Sequence, residues 1–481
     1  MKRFFAGFAM MAVLFLATGC EEKNPNKGRV IPVGQNYKMQ VWTAQEGDAI
    51  DALGKEFISA TKAAGLNINV VSFSSEDLLQ KTLLDKMAEG GGPDVIFTTG
   101  EWIYKNKNKV VPLVQSEGFT ADRFAATFVS AAGEAMVQDG EIYGVPMAVD
   151  SLALIYNEDH LITRLLDRNS PGETWREFRE DVEKLTKTDN SITRFAVSGA
   201  AIGRMDNLNY GYEILENMML QMGTKFFTPD GTAAAFASST GIMPNGSRKN
   251  FGIEAINFFT SFAKPQYKNY AWNEMLADKN EFSRDFNTFI KGKTSIVFGF
   301  SRDLDLIKKK ITGWNTQDGK RISEKNVRID FLPQMEDGSK MVVAKVLGFA
   351  VPVTAEHQPL SWSFLKFLAK KEVASSFHNA TKLPTARLDL IVEQASDPEL
   401  GFFVRQAKFA KNNFSSIDSG ELKKNFTELA QEVVTKKTNV SLKLLKNLET
   451  KITKNLKEYL TLEKQIKRPI KKKPIVTENK K

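Results

Sequence analysis

The chain has 481 residues, 42% of them apolar, which bounds it to two to four domains of ordinary folded composition. Its formal charge of +9 is local: residues 421–481 hold 17 Lys or Arg against 7 Asp or Glu, while the remainder holds 49 against 50. That excludes a basic nucleic-acid groove as the source of the charge, and the single cysteine, Cys20, excludes an internal disulfide.

In chain order, residues 1–20 come first. Lys2 and Arg3 precede an apolar run over 4–16, and Ala17, Thr18 and Gly19 lead to Cys20. This is the pattern of an export signal, too short for a stable membrane span. Residues 21–36 (EEKNPNKGRVIPVGQN) read as a flexible tether spanning roughly 20–24 Å. A strand is predicted over 39–43. A helix follows over 48–64, with Ile50, Leu53, Phe57 and Ile58 at helical spacing and Gly65 to stop it. A strand over 66–73 leads to a helix capped by Ser74 or Ser75. Glu76 and Asp77 in its first turn complement the helix dipole, and Leu79, Leu83, Leu84 and Met87 form its apolar stripe. After Gly90 to Pro93 comes a strand over 94–98. This β-α-β-α-β order calls for right-handed crossovers and a parallel sheet, whose ligands sit beyond the carboxyl ends of the strands. Those ends carry Trp42 and Gln45, Ser74 and Ser75, and Glu101 and Trp102.

Residues 142–157 (IYGVPMAVDSLALIYN) form two apolar, strand-like pieces with one carboxylate, Asp150, between them. Asp150-Ser151 suits a plain turn. It suits equally a crossing between two lobes, with a polar group facing a cleft. The pattern then restarts. Helices are predicted over 174–186 (capped by Thr174), 209–222, 252–263, 280–290, 360–369 and 372–377. Strands are predicted over 195–198, 294–299, 327–332 and 348–353. A long amphipathic stretch over 422–466 places Leu442, Leu445, Leu448 and Ile452 on one face, for docking on a lobe. The tail over 467–481 (KRPIKKKPIVTENKK) is a solvated, basic, disordered end, and for an exported chain anionic lipid or wall polymer is its favoured contact.

Motifs of catalysis are missing from the sequence. Gly292-Lys293-Thr294 is not the end of a phosphate loop, because Asn287 stands where a glycine is needed and a strand follows where a helix is needed. His160, His357 and His378 are scattered without metal-ligand spacing. Asp303 and Asp305 read as solvated charges on a surface helix. The chain is expected to be a non-enzyme with no metal and no cofactor.

The order of several segments is recognisable. They are GPDVIF (92–97), YGVPMAVDSLALIYNEDHL (143–161), TWREF (174–178), FIKGKTSIVFGFS (289–301), FLP (331–333), GFAVP (348–352) and SWSFLKFL (361–368). With Cys20 after an export signal, which resembles a bacterial lipobox with Ala17 where Leu is commoner, this order resembles the family-1 extracellular solute-binding proteins of ABC importers. That group includes the maltose-binding protein, and the resemblance covers roughly 37–457. It implies an α/β, two-lobed periplasmic-binding-protein-like fold, each lobe a mainly parallel sheet flanked by helices, with a hinge between. Lobe 1 would take 37–149 and about 333–385, lobe 2 150–332 and about 386–466. Cys20 would be lipidated, anchoring the protein at the cell membrane facing the periplasm or the exterior.

The resemblance also implies a solute, most readily a sugar or oligosaccharide, captured for an ABC permease by a monomer that binds no nucleic acid. Asp150 would face the cleft, where sugar-binding members place an acid that accepts hydrogen bonds from hydroxyls. By position, Glu101, Asn209, Tyr210, Trp272 and Phe300 are further ligand-binding candidates, beside Trp42 and Gln45 at the strand ends. Two positions depart from the pattern. Thr98 stands where maltodextrin binders put a stacking Trp, and Lys345-Val346-Leu347-Gly348 stands where many sugar binders have a glycine pair and an aromatic. A different oligosaccharide, a peptide, a polyamine, an organophosphate, or a glycan-acting surface protein without transport therefore stay open.

Overall fold

The computed structural model describes residues 36–466 except 64, 114–118, 190, 243–245, 247, 278–283, 315–318, 337, 339 and 415–418. The export signal, Cys20, the tether up to residue 35 and the basic tail lie outside the described residues. No described helix is long and apolar enough to cross a membrane.

The elements used below are β1 (Tyr37–Thr43), α1 (Gly47–Thr61), β2 (Leu66–Ser72), α2 (Glu76–Ala88), β3 (Val95–Thr99) and α3 (Gly100–Lys105). Next come β4 (Gly144–Ser151), β5 (Ala153–Asn157), α4 (Trp175–Leu185), α5 (Gly211–Gln221) and α6 (Phe251–Ser261). The chain continues with β6 (Ile296–Gly299), α7 (Ser301–Thr312), β7 (Val327–Asp330), β8 (Val342–Ala350), α8 (Gln358–Leu368), β9 (Ala410–Lys411), α9 (Ser419–Thr435) and α10 (Leu442–Ile466).

Local chemistry sets the helix ends. Ser75 caps α2 by accepting from the Leu78 N–H at 3.2 Å. Thr174 and Glu177 form a reciprocal capping box at the start of α4. Helix α1 stops where Lys62 turns left-handed (φ 51°) and its N–H reaches back to the last carbonyls. Residues Ile50, Leu53, Gly54 and Phe57 of α1 are buried, with Phe57 against Phe364 and Phe367 of α8.

The first lobe holds the large sheet. Strand β1 lies parallel to β2 and to β3, and β8 pairs antiparallel with β3 and β4 and parallel with β9. The second lobe holds a smaller sheet in which β5 is central and antiparallel to both β6 and β7. The two-lobed α/β architecture expected from the sequence is present. Strand direction differs from the mainly parallel expectation: β5 arrives directly from β4, so it enters the second sheet against its neighbours instead of through a helical crossover.

Among the described residues the chain passes between lobes at Ser151–Ala153, between β7 and β8, and between β9 and α9. The last passage corrects the boundary expected near 386, because β9 still pairs with Val342 and Val343 of β8 in the first sheet. Strand β8 also begins earlier than the predicted 348, since Lys345 breaks its apolar run. The expected single stretch over 422–466 is two helices, α9 and α10. Leu445, Leu448, Ile452 and Leu456 of α10 are buried on the second lobe, whereas Leu442 is exposed.

Carboxamide side chains pin the passages. The fully buried Gln406 donates to Ser151 Oγ (2.9 Å) and the Leu152 carbonyl (3.1 Å) and accepts from the Leu332 N–H (3.0 Å). Gln221 donates to the carbonyls of Pro333 (3.2 Å) and Met341 (2.9 Å), and Asn217 accepts from the Val343 N–H (2.8 Å). The Leu332 and Val343 N–H groups and the Leu152, Pro333 and Met341 carbonyls thereby keep partners at the first two passages.

Candidate functional site

Between the lobes lies a cleft of about 850 Å³. The first lobe contributes the polar face of α2 (Glu76, Asp77, Gln80, Lys81), then Thr99, Glu101, Trp102 and Lys105. The second contributes Tyr210, the face of α5 with Tyr212, Glu213 and Glu216, then Phe300, Lys423 and Tyr459. Strand β8 lays Val343 to Val346 along the floor. The spacing follows from helical period: Tyr212, Glu213 and Glu216 lie within one turn of α5 and share a face.

Among the described residues two ion pairs lie in the cleft. Glu101 meets Lys105 at 2.9 Å and Glu213 meets Lys423 at 3.0 Å. Glu216 accepts from the Asn413 amide at 2.7 Å. Burial pushes its carboxyl up to about 8 against that hydrogen bond, and the neighbouring Glu213 and Glu101 push the same way. Two carboxylate oxygens, Glu76 Oε2 and Glu213 Oε2, and the Asn209 amide nitrogen are buried without a partner among the described residues.

Of the sequence-predicted residues, Glu101, Tyr210 and Phe300 line the cleft. The Tyr210 and Phe300 rings meet edge-on, 5.0 Å apart. The other five are not among its lining residues. Trp42 is largely buried beneath the strand end, its indole N–H on Gln40 (3.3 Å) and its ring against Phe73. Trp272 is wholly buried, donating to Asn207 at 3.0 Å. The Asn209 backbone N–H donates to Asp285 (3.1 Å). Gln45 accepts from Arg302 of the other lobe, and Arg302 also pairs with Glu46 at 3.1 Å, so this strand end serves an interlobe contact.

Asp150 sits at the first passage, but it is buried and is not among the residues that line the cleft. Its carboxylate accepts from Ser151 N–H (2.8 Å), Ser301 N–H (3.1 Å) and Ser301 Oγ (2.7 Å). Burial raises its pKa to about 6, with the Ser301 hydroxyl and Lys345 opposing. Asp303, read from sequence as a solvated charge, is buried too: it accepts from Phe300 N–H at 2.8 Å and holds the Tyr210 hydroxyl. The burial of these acids could not be read from helical spacing alone. The α2 acids were legible only as dipole-complementing residues, and Tyr212 to Glu216 only as neighbours of Tyr210.

Among the described residues no group of three or more His, Cys, Asp or Glu is placed to hold a metal ion.

The raised carboxyls predict a pH dependence. A buried acid whose folded pKa is raised favours the fold when protonated, so its stabilisation is lost as pH rises through that value. Glu216 (about 8) and Asp285 (about 7, raised by burial) act as pH falls from 8 to 6.5. Lys264, lowered by burial to about 8, opposes at the upper end of that window, and His160, His357 and His378, lowered by burial, oppose at its lower end, so together they offset part of the gain. The denaturation free energy should therefore rise by on the order of 1–2 kcal/mol between pH 8 and 6.5. Urea titrations at both pH values that gave equal or lower stability at 6.5 would contradict this.

Residues 52–401 match the family described as bacterial extracellular solute-binding protein. A binding protein of Brucella abortus (strain 2308) is 25% identical over 194 residues, which is 40% of this chain and 44% of that relative. The chain thus spans less than half the length of the curated relatives it matches. The solute-binding protein of an ABC transporter from Thermotoga lettingae TMO, bound with α-D-tagatose, superposes with a TM-score of 0.64 at 17% identity, over 88% of this chain and 100% of that one. The sugar-binding protein MalE from Xanthomonas citri does so with a TM-score of 0.68 at 16% identity, over 89% and 98%. At these identities the likeness is one of fold.

Proposed function

The chain belongs to the bacterial extracellular solute-binding proteins, and from that premise we propose that it captures a sugar or oligosaccharide between its lobes and delivers it to an ABC permease. It acts outside the cytoplasm as a monomer, held at the membrane by a lipid on Cys20, and performs no catalysis. The supporting observation is the cleft itself. The half-buried rings of Tyr210 and Phe300 and the more deeply buried Trp102 and Tyr212 line it together with carboxylate and amide groups drawn from both lobes, and Glu76 and Glu213 each keep an unpartnered buried oxygen. Rings suit the apolar faces of a pyranose, and carboxylates accept strong hydrogen bonds from its hydroxyls. The sugar ligands of the structural neighbours point the same way. The passages between lobes give such a molecule a hinge, and the Arg302 contact with Gln45 and Glu46 joins the lobes at the rim.

Titration calorimetry against mono- and oligosaccharides tests this. On the sugar found to bind, Phe300→Ala and Glu101→Ala should each weaken affinity roughly tenfold, about 1–1.5 kcal/mol, with melting curves near wild type. A full panel with no binding would end the carbohydrate reading. Normal affinity in both variants would move the site out of this cleft.

A further inference from the structure

Lys345 is the one exposed residue of the nine in β8. The strand lies between β3 and β4 at the centre of the first sheet, so that exposure opens onto the floor of the cleft. In register it stands directly opposite Asp150 of β4, the position from which a cross-strand ion pair would form. No such pair exists among the described residues. Asp150 spends its oxygens on Ser151 and Ser301, and Asp303 spends its own on Phe300 N–H and the Tyr210 hydroxyl. The ammonium instead lies 4.9 Å from the centroid of the Phe300 ring, which belongs to the other lobe. Of the other cleft lysines, Lys105 and Lys423 each hold a carboxylate, and Lys81 is an exposed residue of α2, away from the floor strand.

From this arrangement we infer that the solute carries an anionic group, a carboxylate, sulfate or phosphate, that docks on Lys345 while its ring lies against Phe300. The inference rests on the sugar-capturing reading above and narrows it to acidic sugars. Its physical basis is closure. The ammonium has the Phe300 ring and only the more distant charges of Asp150 and Asp303, with no ion pair to either. When the lobes expel water it therefore loses its solvation with incomplete compensation, whereas an anion restores it through charge-assisted hydrogen bonds. Three donors on a flexible stem suit a single anionic group. Of the other acids lining the cleft, Glu216 is held protonated by burial at neutral pH and Glu101 and Glu213 are paired with Lys105 and Lys423, while Glu76 and Asp77 stand on α2.

The test is calorimetry of the full-length protein in detergent with matched sugars: glucose with glucuronate, galactose with galacturonate, glucose with glucose 6-phosphate, and maltotriose with trigalacturonate. At least one acidic member should bind tenfold or more tighter than its neutral partner, and the difference should shrink as salt rises. Lys345→Met should abolish that discrimination, and Lys345→Arg should keep most of it. Neutral partners binding as tightly as acidic ones, or discrimination surviving Lys345→Met, would overturn the inference and leave sugar capture standing. Binding of neither class would overturn both.

Discussion

Trp175→Ala is expected to destabilise the second lobe by about 3–5 kcal/mol, the range for deleting a large buried aromatic side chain. Trp175 opens α4 directly after its Thr174 cap and is almost fully buried. Its ring packs edge-on to Phe178 (5.5 Å) and Phe258 (6.3 Å) and stacks on Phe298 of β6 (6.3 Å). The surrounding rings are themselves locked against one another, Phe178 on Phe298 and Phe262, so the cavity has little room to collapse. The indole also reaches the hinge. Its N–H donates to Gln221 Oε1 at 2.6 Å, and the same Gln221 holds the Pro333 and Met341 carbonyls of the second passage. Trp175→Phe separates the two roles. It keeps most of the apolar area but leaves the Gln221 oxygen unpaired, at a cost of about 1–3 kcal/mol. Urea denaturation of both variants, with ligand titration of Trp175→Phe, measures this. A wild-type midpoint for Trp175→Ala would refute the packing argument, and unchanged affinity in Trp175→Phe would uncouple Gln221 from closure.

Asp150→Ala should lower stability by about 2 kcal/mol and weaken ligand binding less than roughly tenfold. The carboxylate is buried and serves donors at Ser151 and Ser301, so its removal strands those groups in a dry environment. Relief of its own burial penalty, visible in the pKa of about 6, offsets part of the loss. Asp150→Asn is no rescue, because its amide would present new donors to groups that already donate. The effect on affinity passes through α7. Ser301 opens that helix between Phe300, which faces the cleft, and Arg302, which meets Gln45 and Glu46 of the first lobe. Melting curves and calorimetry together decide. Wild-type melting with a hundred-fold loss of affinity would place the carboxylate on the solute instead of on Ser301.

The contrast at Asp150 shows where sequence reasoning reaches its limit. Two apolar strands around one acid were legible in residues 142–157, because β4 and β5 are buried along their whole length and such runs belong to two-sided sheets. The residues left a plain turn and a passage between lobes equally open, and only the resemblance favoured the passage. Strand and helix order, the Ser75 and Thr174 caps and the docked face of α10 were legible for the same reason: periodicity and capping are local properties of the chain. Glu101, Tyr210 and Phe300, which line the cleft, were indicated by the family resemblance and not by local chemistry; each stands at the start of a helix. That Asp150 is buried on Ser301, that Asp303 is buried on Tyr210, and that Trp42 and Trp272 lie in the core were decided by packing between segments distant in sequence. So was the late crossing after β9, where two residues pair with a strand some seventy positions earlier. A side chain's type and period set the face it occupies. What that face meets, and whether a charge there finds water, an ion partner or a backbone N–H, depends on segments brought together only by the folded chain.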